Sequence, residues 1–487
     1  MQHHPGDDAG EYDEQSQTFG AGAAPIPRGS VASQLLQKNR SLGCNLGALG
    51  SPEAVQAAKP ERLPMLLGSV PEVVTALVPL RAPLDVDELI ASAQRRTGLA
   101  ELGDTPFIGA LQNLLRACFD EADLSFFGRI ATRWDIVRFL SNLLRLHEEE
   151  KKAPVIRERP VARPIFISGL PRSGTTFLHS ILAEDPTNLV PRVWQLIHPY
   201  PSNGPTQDVA RLKVARQLRL FGLLAPDFRR MHPINASSPQ ECSEITAHVF
   251  ASLRFDTTYH IPSYRHWLDE TGHLDAYRFH KRFLQHLQYQ TVGDRRWVLK
   301  CPDHVFALTA IRAVYPDARL VLVHRDPLAV LLSVARLTET LRRPFTRNVD
   351  KAEIGRQDSD RWLEATELMI SAAQEQPFAE PIFHVHYLDL VRDPVATVAA
   401  VYRHFGEVLT ADAASRIGRL VDAKPNGGYR AHGSRLEEYG LDAELERERF
   451  ARYMAHFGIR PEPRRRSDRS TRSLPLFASR RSAKPVE

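Results

Sequence analysis

The stretch GLPRSGTT, Gly169 to Thr176, has the glycine spacing of a phosphate-binding loop. It follows the apolar run PIFIS and precedes the amphipathic segment TTFLHSILAED, so it joins a predicted strand to a predicted helix. Backbone amides in such a loop, together with the positive end of the helix dipole, bind anions. A threonine stands where a nucleoside-triphosphate site has its lysine, which predicts a shorter anion bound without an obligatory metal. The predicted ligands are Arg172, Ser173, Gly174, Thr175 and Thr176.

A second candidate anion group follows the apolar run RLVLVH, Arg319 to His324. Arg325 comes directly after the run, and the Asp-Pro pair that follows has the chemistry of a helix start. Ser333 lies on the same face of that predicted helix, so we expect Arg325 and Ser333 to bind one anion from two directions. The triplet HRD also occurs in protein kinases, but Leu331 stands where their catalytic loop has asparagine. We therefore reject the protein-kinase interpretation.

Four apolar runs of strand length must position these residues. They are PIFIS (164–168), WVLK (297–300), RLVLVH (319–324) and IFHVHY (382–387), each followed by a helical pattern. Strands that are apolar on both faces and alternate with helices predict an α/β, three-layer P-loop-type fold with a parallel sheet flanked by helices. Ligands of such sheets bind at the carboxyl ends of the strands, so the residues just after these four runs are candidates for ligand binding.

Composition and periodicity divide the chain into four predicted segments: a disordered leader (1–60), an N-terminal helical subdomain (61–160), the α/β domain (161–460) and a basic disordered tail (461–487). In the helical subdomain apolar residues recur every three or four positions, with predicted breaks at Gly98, Gly103 and Gly128.

The whole-chain composition favours a globular protein. The 487 residues carry a net charge of +5, concentrated in the tail, and no run of about 18 apolar residues occurs. The four cysteines are scattered without a CxxC pair, which favours a reducing compartment and no structural zinc. We expect a cytoplasmic protein with no transmembrane segment, no nucleic-acid partner and no metal; a homodimer is compatible with the sequence.

These motifs resemble those of the sulfotransferases that use 3′-phosphoadenosine-5′-phosphosulfate (PAPS). PRSGTT is similar to their 5′-phosphosulfate loop in its arginine form, and HRDPLAVLLS is similar to their 3′-phosphate motif. The segments TGLAELGD, PRVWQLIHPYP, SPQECSEI, WVLKCPDHVFAL and HVHYLDLVRDPVATV extend the resemblance to the bacterial branch that has an N-terminal helical extension. In a nucleoside-triphosphate site the loop lysine neutralises the terminal phosphates. PAPS has no such triphosphate chain, so a loop without this lysine is compatible with PAPS.

The resemblance implies transfer of a sulfuryl group from PAPS to a hydroxyl or amine of an acceptor, leaving 3′,5′-ADP. It implies that Arg172 lies at the bridging oxygen of the leaving phosphate and that Lys300 contacts the transferring group. Arg430, in GGYRAHGSRLEEYGL, falls where the family's late basic segment closes over the donor.

A general base must take the proton of the acceptor, and the sequence offers several. His304 lies near where the cytosolic branch has its catalytic histidine, and we prefer it to Glu241 or Glu244 in SPQECSEI. Gln195 stands where the bacterial branch commonly has a glutamate, so that candidate is absent here.

The sequence leaves the acceptor open among small molecules, lipids and carbohydrates; the helical subdomain and residues 198–294 are predicted to form its pocket. Two alternatives remain. A P-loop nucleotide or small-molecule kinase would need the missing loop lysine and magnesium. A non-catalytic nucleotide-binding protein would bind 3′,5′-ADP without turnover.

Overall fold

The computed structural model describes residues 84–200, 207–224, 234–291, 293, 295–423 and 435–462. Within these residues one parallel sheet has the strand order β2-β3-β1-β4-β5. The strands are β1 (Ile165–Gly169), β2 (Asn188–Leu189), β3 (Arg296–Lys300), β4 (Arg319–His324) and β5 (Phe383–His386). The α/β fold class with a helix-flanked parallel sheet is thus confirmed.

The three central strands are β1, β3 and β4, and they are buried almost throughout. Their runs of Ile, Val, Leu and Phe suit strands that are covered on both faces. The sequence analysis missed β2, which has two residues and pairs with the start of β3. So short a strand carries no periodic signal.

Three helices precede the sheet: α1 (Val86–Thr97), α2 (Ile108–Asp120) and α3 (Phe126–Lys152). Helix α1 begins after Asp85, whose carboxylate accepts a hydrogen bond from the Glu88 amide at 2.8 Å, and it ends at Gly98 in the left-handed region. The predicted break at Gly128 is wrong. Gly128 lies in the first turn of α3, where a Cβ would come within 2.0 Å of the Phe345 carbonyl oxygen.

The remaining helices cover the sheet or pack beside it. They are α4 (Thr175–Leu182), α5 (Val193–Ile197), α6 (Gln207–Leu224), α7 (Ser243–Thr246), α8 (Arg254–Thr258), α9 (Pro262–Thr271), α10 (Leu274–Tyr289), α11 (Leu308–Val314), α12 (Pro327–Arg342), α13 (Lys351–Glu375), α14 (Tyr387–Arg392), α15 (Pro394–His404), α16 (Ala411–Ala423), α17 (Ala443–Arg449) and α18 (Ala451–His456). None of the described helices is long and apolar enough to cross a membrane.

Side chains of β1 alternate between two apolar layers. Ile165 and Ile167 pack in a cluster with Leu178 of α4, whereas Phe166 belongs to the cluster that contains Phe283 of α10. Because β1 lies between β3 and β4, the loop that follows β1 lies between the ends of those two strands. The sheet therefore brings the three predicted site segments to one edge.

Candidate active site

The loop after β1 depends on two glycines. Gly169 has φ +132°, and a Cβ there would lie 2.3 Å from the Val323 carbonyl oxygen of β4. Gly174 has φ +102° and precedes α4, and its Cβ would lie 3.0 Å from the ring of Tyr387. Arg172 also adopts a positive φ, of +61°, which is uncommon for a side chain of this size. The loop is therefore tightly wound against β4 and the start of α14.

Ser173 supplies a buried hydroxyl that has no partner in the loop. Its side chain is fully buried, and its Oγ has no hydrogen-bond partner within the described residues. A hydroxyl buried without a partner costs about 1–3 kcal/mol. An oxygen-rich ligand that accepts from this hydroxyl would remove that cost, so the loop fits a phosphate or phosphosulfate group.

Arg172 connects the loop to the residues that follow β4. Its Nε donates to Ser333 Oγ at 3.1 Å, and its carbonyl oxygen accepts from Arg325 at 2.7 Å. Arg172, Arg325 and Ser333 thus form one cluster at the carboxyl ends of β1 and β4. In the sequence these residues belong to two separate motifs, PRSGTT and HRDPLAVLLS.

Arg325 is held by a carboxylate that the sequence analysis did not select. Its Nε and a terminal nitrogen donate to the two oxygens of Glu462 at 2.7 and 2.9 Å, while its guanidinium lies 3.9 Å from the ring centre of Tyr387. Burial acts to lower the pKa of Arg325, but the bond to Glu462 raises it above its ordinary value. The Glu462 amide also donates to Asp326 at 2.7 Å. Arg325 therefore forms a bidentate ion pair with a carboxylate of the chain itself, and its predicted contact with a ligand anion stays a prediction.

A cavity of about 180 Å³ adjoins this ion pair. Its walls include Arg325, Tyr387 and Glu462, together with Ile459 and Leu388. The aromatic ring and the two aliphatic side chains suit a flat, partly apolar ligand, while Asp326 and Asp389 add two further carboxylates to the lining.

Lys300 ends β3 on the other side of the loop. Its side chain is 2% exposed and its Nζ forms a hydrogen-bonded ion pair with Glu241, whose side chain is 31% exposed. The Cys242 amide donates to the Lys300 carbonyl at 3.0 Å, which fixes the segment of Glu241 beside the end of β3. A buried lysine and a more accessible carboxylate thus meet at the same edge of the sheet as Arg172.

The structure buries His304, the residue that the sequence favours as the general base. Its side chain is fully buried, its Nδ1 is 2.5 Å from the Tyr277 hydroxyl, and its ring packs edge-on against Phe166 of β1. Burial, with smaller contributions from His280 and Lys300, lowers the pKa of His304 well below its ordinary value. The other ring nitrogen, Nε2, is buried and has no hydrogen-bond partner within the described residues.

Glu244 is also unsuited to proton transfer. Its two carboxylate oxygens are engaged by Arg138 at 2.7 Å and by Arg254 at 3.1 Å. Among the candidates for the base, Glu241 alone combines exposure with a position beside Lys300. The prediction that His304 is preferred to Glu241 thus differs from the order of their exposure.

Tyr387 and Glu462 belong to the site but were not among the residues predicted from the sequence. Tyr387 stands in the quoted segment HVHYLDL, where an aromatic residue directly after a strand was an available signal. Glu462 carried no signal, because it lies 137 residues from Arg325 and at the start of the predicted tail. Arg430 lies outside the described residues. Within the part that the structure describes, no group of three or more His, Cys, Asp or Glu residues is placed to hold a metal ion.

Comparisons with known proteins agree on one family. A family model described as the sulfotransferase family matches residues 164–411. The sulfotransferase STF1 of Mycobacterium tuberculosis H37Rv has a crystal structure that is 30% identical, with a TM-score of 0.67, covering 76% of this chain and 99% of that chain. STF9 of Mycobacterium avium is 28% identical with a TM-score of 0.70, covering 78% of this chain and 98% of that chain.

Curated relatives match over a shorter region. The omega-hydroxy-beta-dihydromenaquinone-9 sulfotransferase Stf3 of Mycobacterium bovis is 25% identical over 260 residues, as is the protein of the same name from Mycobacterium tuberculosis. The match covers 50% of this chain and 62% of each relative, so the chain spans less than two thirds of their length.

Proposed function

Since the chain belongs to the sulfotransferase family and is therefore an enzyme of sulfuryl transfer, we propose that its donor is PAPS and its acceptor a hydroxyl of an apolar molecule. The observation that carries the donor assignment is the cluster around Arg172. One arginine contacts Ser333 through its side chain and Arg325 through its carbonyl oxygen. A ligand with one anionic group at the loop and a second near Arg325 fits this arrangement.

The donor would span the edge of the sheet. Its phosphosulfate would be bound by the loop amides, Ser173 and Arg172, and its 3′-phosphate by Arg325 after the carboxylate of Glu462 is displaced. The adenosine would occupy the cavity beside Tyr387. The donor is proposed to bind without a metal, because arginines supply the positive charge that magnesium supplies to a triphosphate.

When bound, the donor presents a sulfur whose bond to the bridging phosphate oxygen breaks as the acceptor oxygen bonds to it. Negative charge then develops on the bridging oxygen, where Arg172 stabilises it. Lys300 would stabilise the oxygens of the transferring group. Glu241 would take the proton of the acceptor hydroxyl, since its ion pair with Lys300 places the carboxylate beside the transferring group.

A lipid alcohol is the proposed acceptor class. The support is the name of the Stf3 relatives, which act on a hydroxylated dihydromenaquinone, a long apolar quinone that carries a terminal hydroxyl. The acceptor hydroxyl would approach Glu241 from its exposed side. A sugar or a small phenol would fit the same chemistry, and an acceptor panel separates these classes.

The test is sulfuryl transfer from radiolabelled PAPS to a panel of polyprenyl quinols, sterols, phenols and sugars. We expect labelled product with a lipid alcohol, a loss of about 10²–10³-fold in kcat for Arg172→Ala, and little change for Glu448→Gln, an exposed carboxylate chosen as a control. Full activity in Arg172→Ala would refute the role of this residue. Product with sugars and none with lipids would refute the acceptor class.

A further inference from the structure

Helix α6 (Gln207–Leu224) is anchored to the protein along one face. Ala210 and Val214 are buried in a small apolar cluster with Val193 and Trp194 of α5. Successive buried positions four residues apart define the inner side of the helix. The opposite side of α6 is therefore presented outward.

The outer face of α6 combines aliphatic and basic side chains. Val209, Leu212, Lys213 and Arg216 are spaced at i, i+3, i+4 and i+7, so they form one stripe along the helix. Val209 is 56% exposed and Leu212 is 61% exposed. Two neighbouring aliphatic residues on this stripe thus remain more than half exposed to water in the folded chain.

The charge of the helix has one dominant sign. Arg211, Lys213, Arg216 and Arg219 are all exposed, and the single acidic side chain among residues 208–219 is Asp208, which pairs with Arg211 at 3.3 Å. The three other basic residues face outward with Val209 and Leu212 or beside them.

Neighbouring helices add further positive charge. The pKa of Lys213 is lowered, first by partial burial and then by repulsion from Arg96 of α1 and Arg145 of α3. Burial and repulsion from Arg96 also lower the pKa of Arg145. Like charges that crowd in this way oppose folding, and a negatively charged surface placed against them would relieve the repulsion.

We propose that the outer stripe of α6 docks on an anionic lipid bilayer. Basic side chains would contact the headgroups, and Val209 and Leu212 would enter the boundary between headgroups and acyl chains. A nucleic acid would satisfy the charges but offers no apolar partner for the two aliphatic side chains. The observations therefore favour a lipid surface.

This inference is independent of the proposed donor, because none of its residues belongs to the site at the edge of the sheet. It bears on the acceptor, since docking on a bilayer would bring the enzyme to a membrane-dissolved lipid alcohol. Its test uses vesicle binding and requires neither PAPS nor an acceptor.

The experiment is flotation of the full chain with phosphatidylcholine vesicles that contain or lack phosphatidylglycerol. Two double variants are compared: Lys213→Glu with Arg216→Glu on α6, and the charge-matched Arg416→Glu with Arg419→Glu on α16. Each pair replaces two exposed basic residues, so the net charge changes equally. Thermal unfolding of both variants confirms that the fold is kept. Leu212→Ser tests the aliphatic contribution separately.

We expect the wild type to float with the anionic vesicles and much less with the neutral ones, with binding reduced by added salt. Because each basic residue near an anionic bilayer contributes about fivefold, the α6 pair should lower the partition coefficient by at least about 25-fold. The α16 pair should lower it far less. Equal losses from both pairs, no binding by the wild type at low salt, or tight binding to DNA without vesicle binding would each overturn the proposal.

Discussion

The ion pair between Arg325 and Glu462 predicts that the variant Glu462→Gln binds 3′,5′-ADP more tightly than the wild type. The 3′-phosphate of the nucleotide and the carboxylate of Glu462 would compete for the same guanidinium, which Glu462 holds at 2.7 and 2.9 Å. Glutamine keeps the size of the side chain but removes its charge. The nucleotide would then bind to Arg325 without first breaking the ion pair between Arg325 and Glu462.

The magnitude follows from the burial of the pair. Two unit charges 4 Å apart attract by about 4 kcal/mol at an effective dielectric constant of about 20. The two side chains are 19% and 21% exposed, so they remain partly hydrated. Desolvation and side-chain ordering offset more than half of the attraction, which leaves about 1–2 kcal/mol. Since 1.4 kcal/mol corresponds to a factor of ten, the Kd for 3′,5′-ADP should fall by about 5- to 30-fold.

Isothermal titration calorimetry of the wild type, Glu462→Gln, Arg325→Ala and the control Glu448→Gln measures this effect. Arg325→Ala should weaken binding by about 100-fold, because a bidentate charge-assisted contact is lost. An equal or larger Kd in Glu462→Gln would refute the competition. If the wild type did not bind 3′,5′-ADP at all, the proposed donor would be refuted instead.

Three further predictions concern the loop, the base and acid stability. Gly169→Ala should lower the free energy of unfolding by about 2–4 kcal/mol in urea titrations, because φ +132° strains the new side chain and its Cβ meets the Val323 carbonyl; unchanged stability would contradict this. Glu241→Gln should lower kcat by about 10²–10⁴-fold while the Kd for 3′,5′-ADP changes little, and equal losses in both would contradict a role as base. Burial lowers the pKa of His248 and of His280 to about 3, below the value of about 6.5 in the unfolded chain. Their contribution to stability is therefore complete above pH about 6.5 and is lost as the pH falls toward 3, at about 1.4 kcal/mol per pH unit for each histidine. Urea midpoints that stay constant from pH about 7.5 to 5.5 would contradict this.

The strands were predictable from the sequence because each central strand is a short apolar run buried on both faces. The bounds of β1, β3, β4 and β5 differ from the predicted runs by at most one residue at each end, and β4 matches its run. Gly128 shows the limit of such reasoning. A glycine in a helical pattern usually predicts the end of the helix. Gly128 instead lies within the helix, where the absence of a Cβ lets the Phe345 carbonyl oxygen approach closely. Phe345 is more than two hundred positions away in the sequence, so no local pattern predicts this contact.

The order of the candidate bases was not predictable, because burial is a property of packing. His304 stands in the same motif as Lys300, whereas Glu241 lies 59 residues before Lys300 in the sequence. Packing of Tyr277 and Phe166 around His304 removes it from the surface, whereas Glu241 remains partly exposed beside Lys300. The pairing of Arg325 with Glu462 is likewise a long-range contact that no local pattern encodes.

The most direct test of the central claim is calorimetric titration of the wild type with 3′,5′-ADP in EDTA, beside ADP and then ATP with magnesium. The account predicts tight binding of 3′,5′-ADP without a metal and much weaker binding of ADP, which lacks the 3′-phosphate that Arg325 would bind. Magnesium-dependent binding of ATP together with no binding of 3′,5′-ADP would contradict the account and favour a kinase.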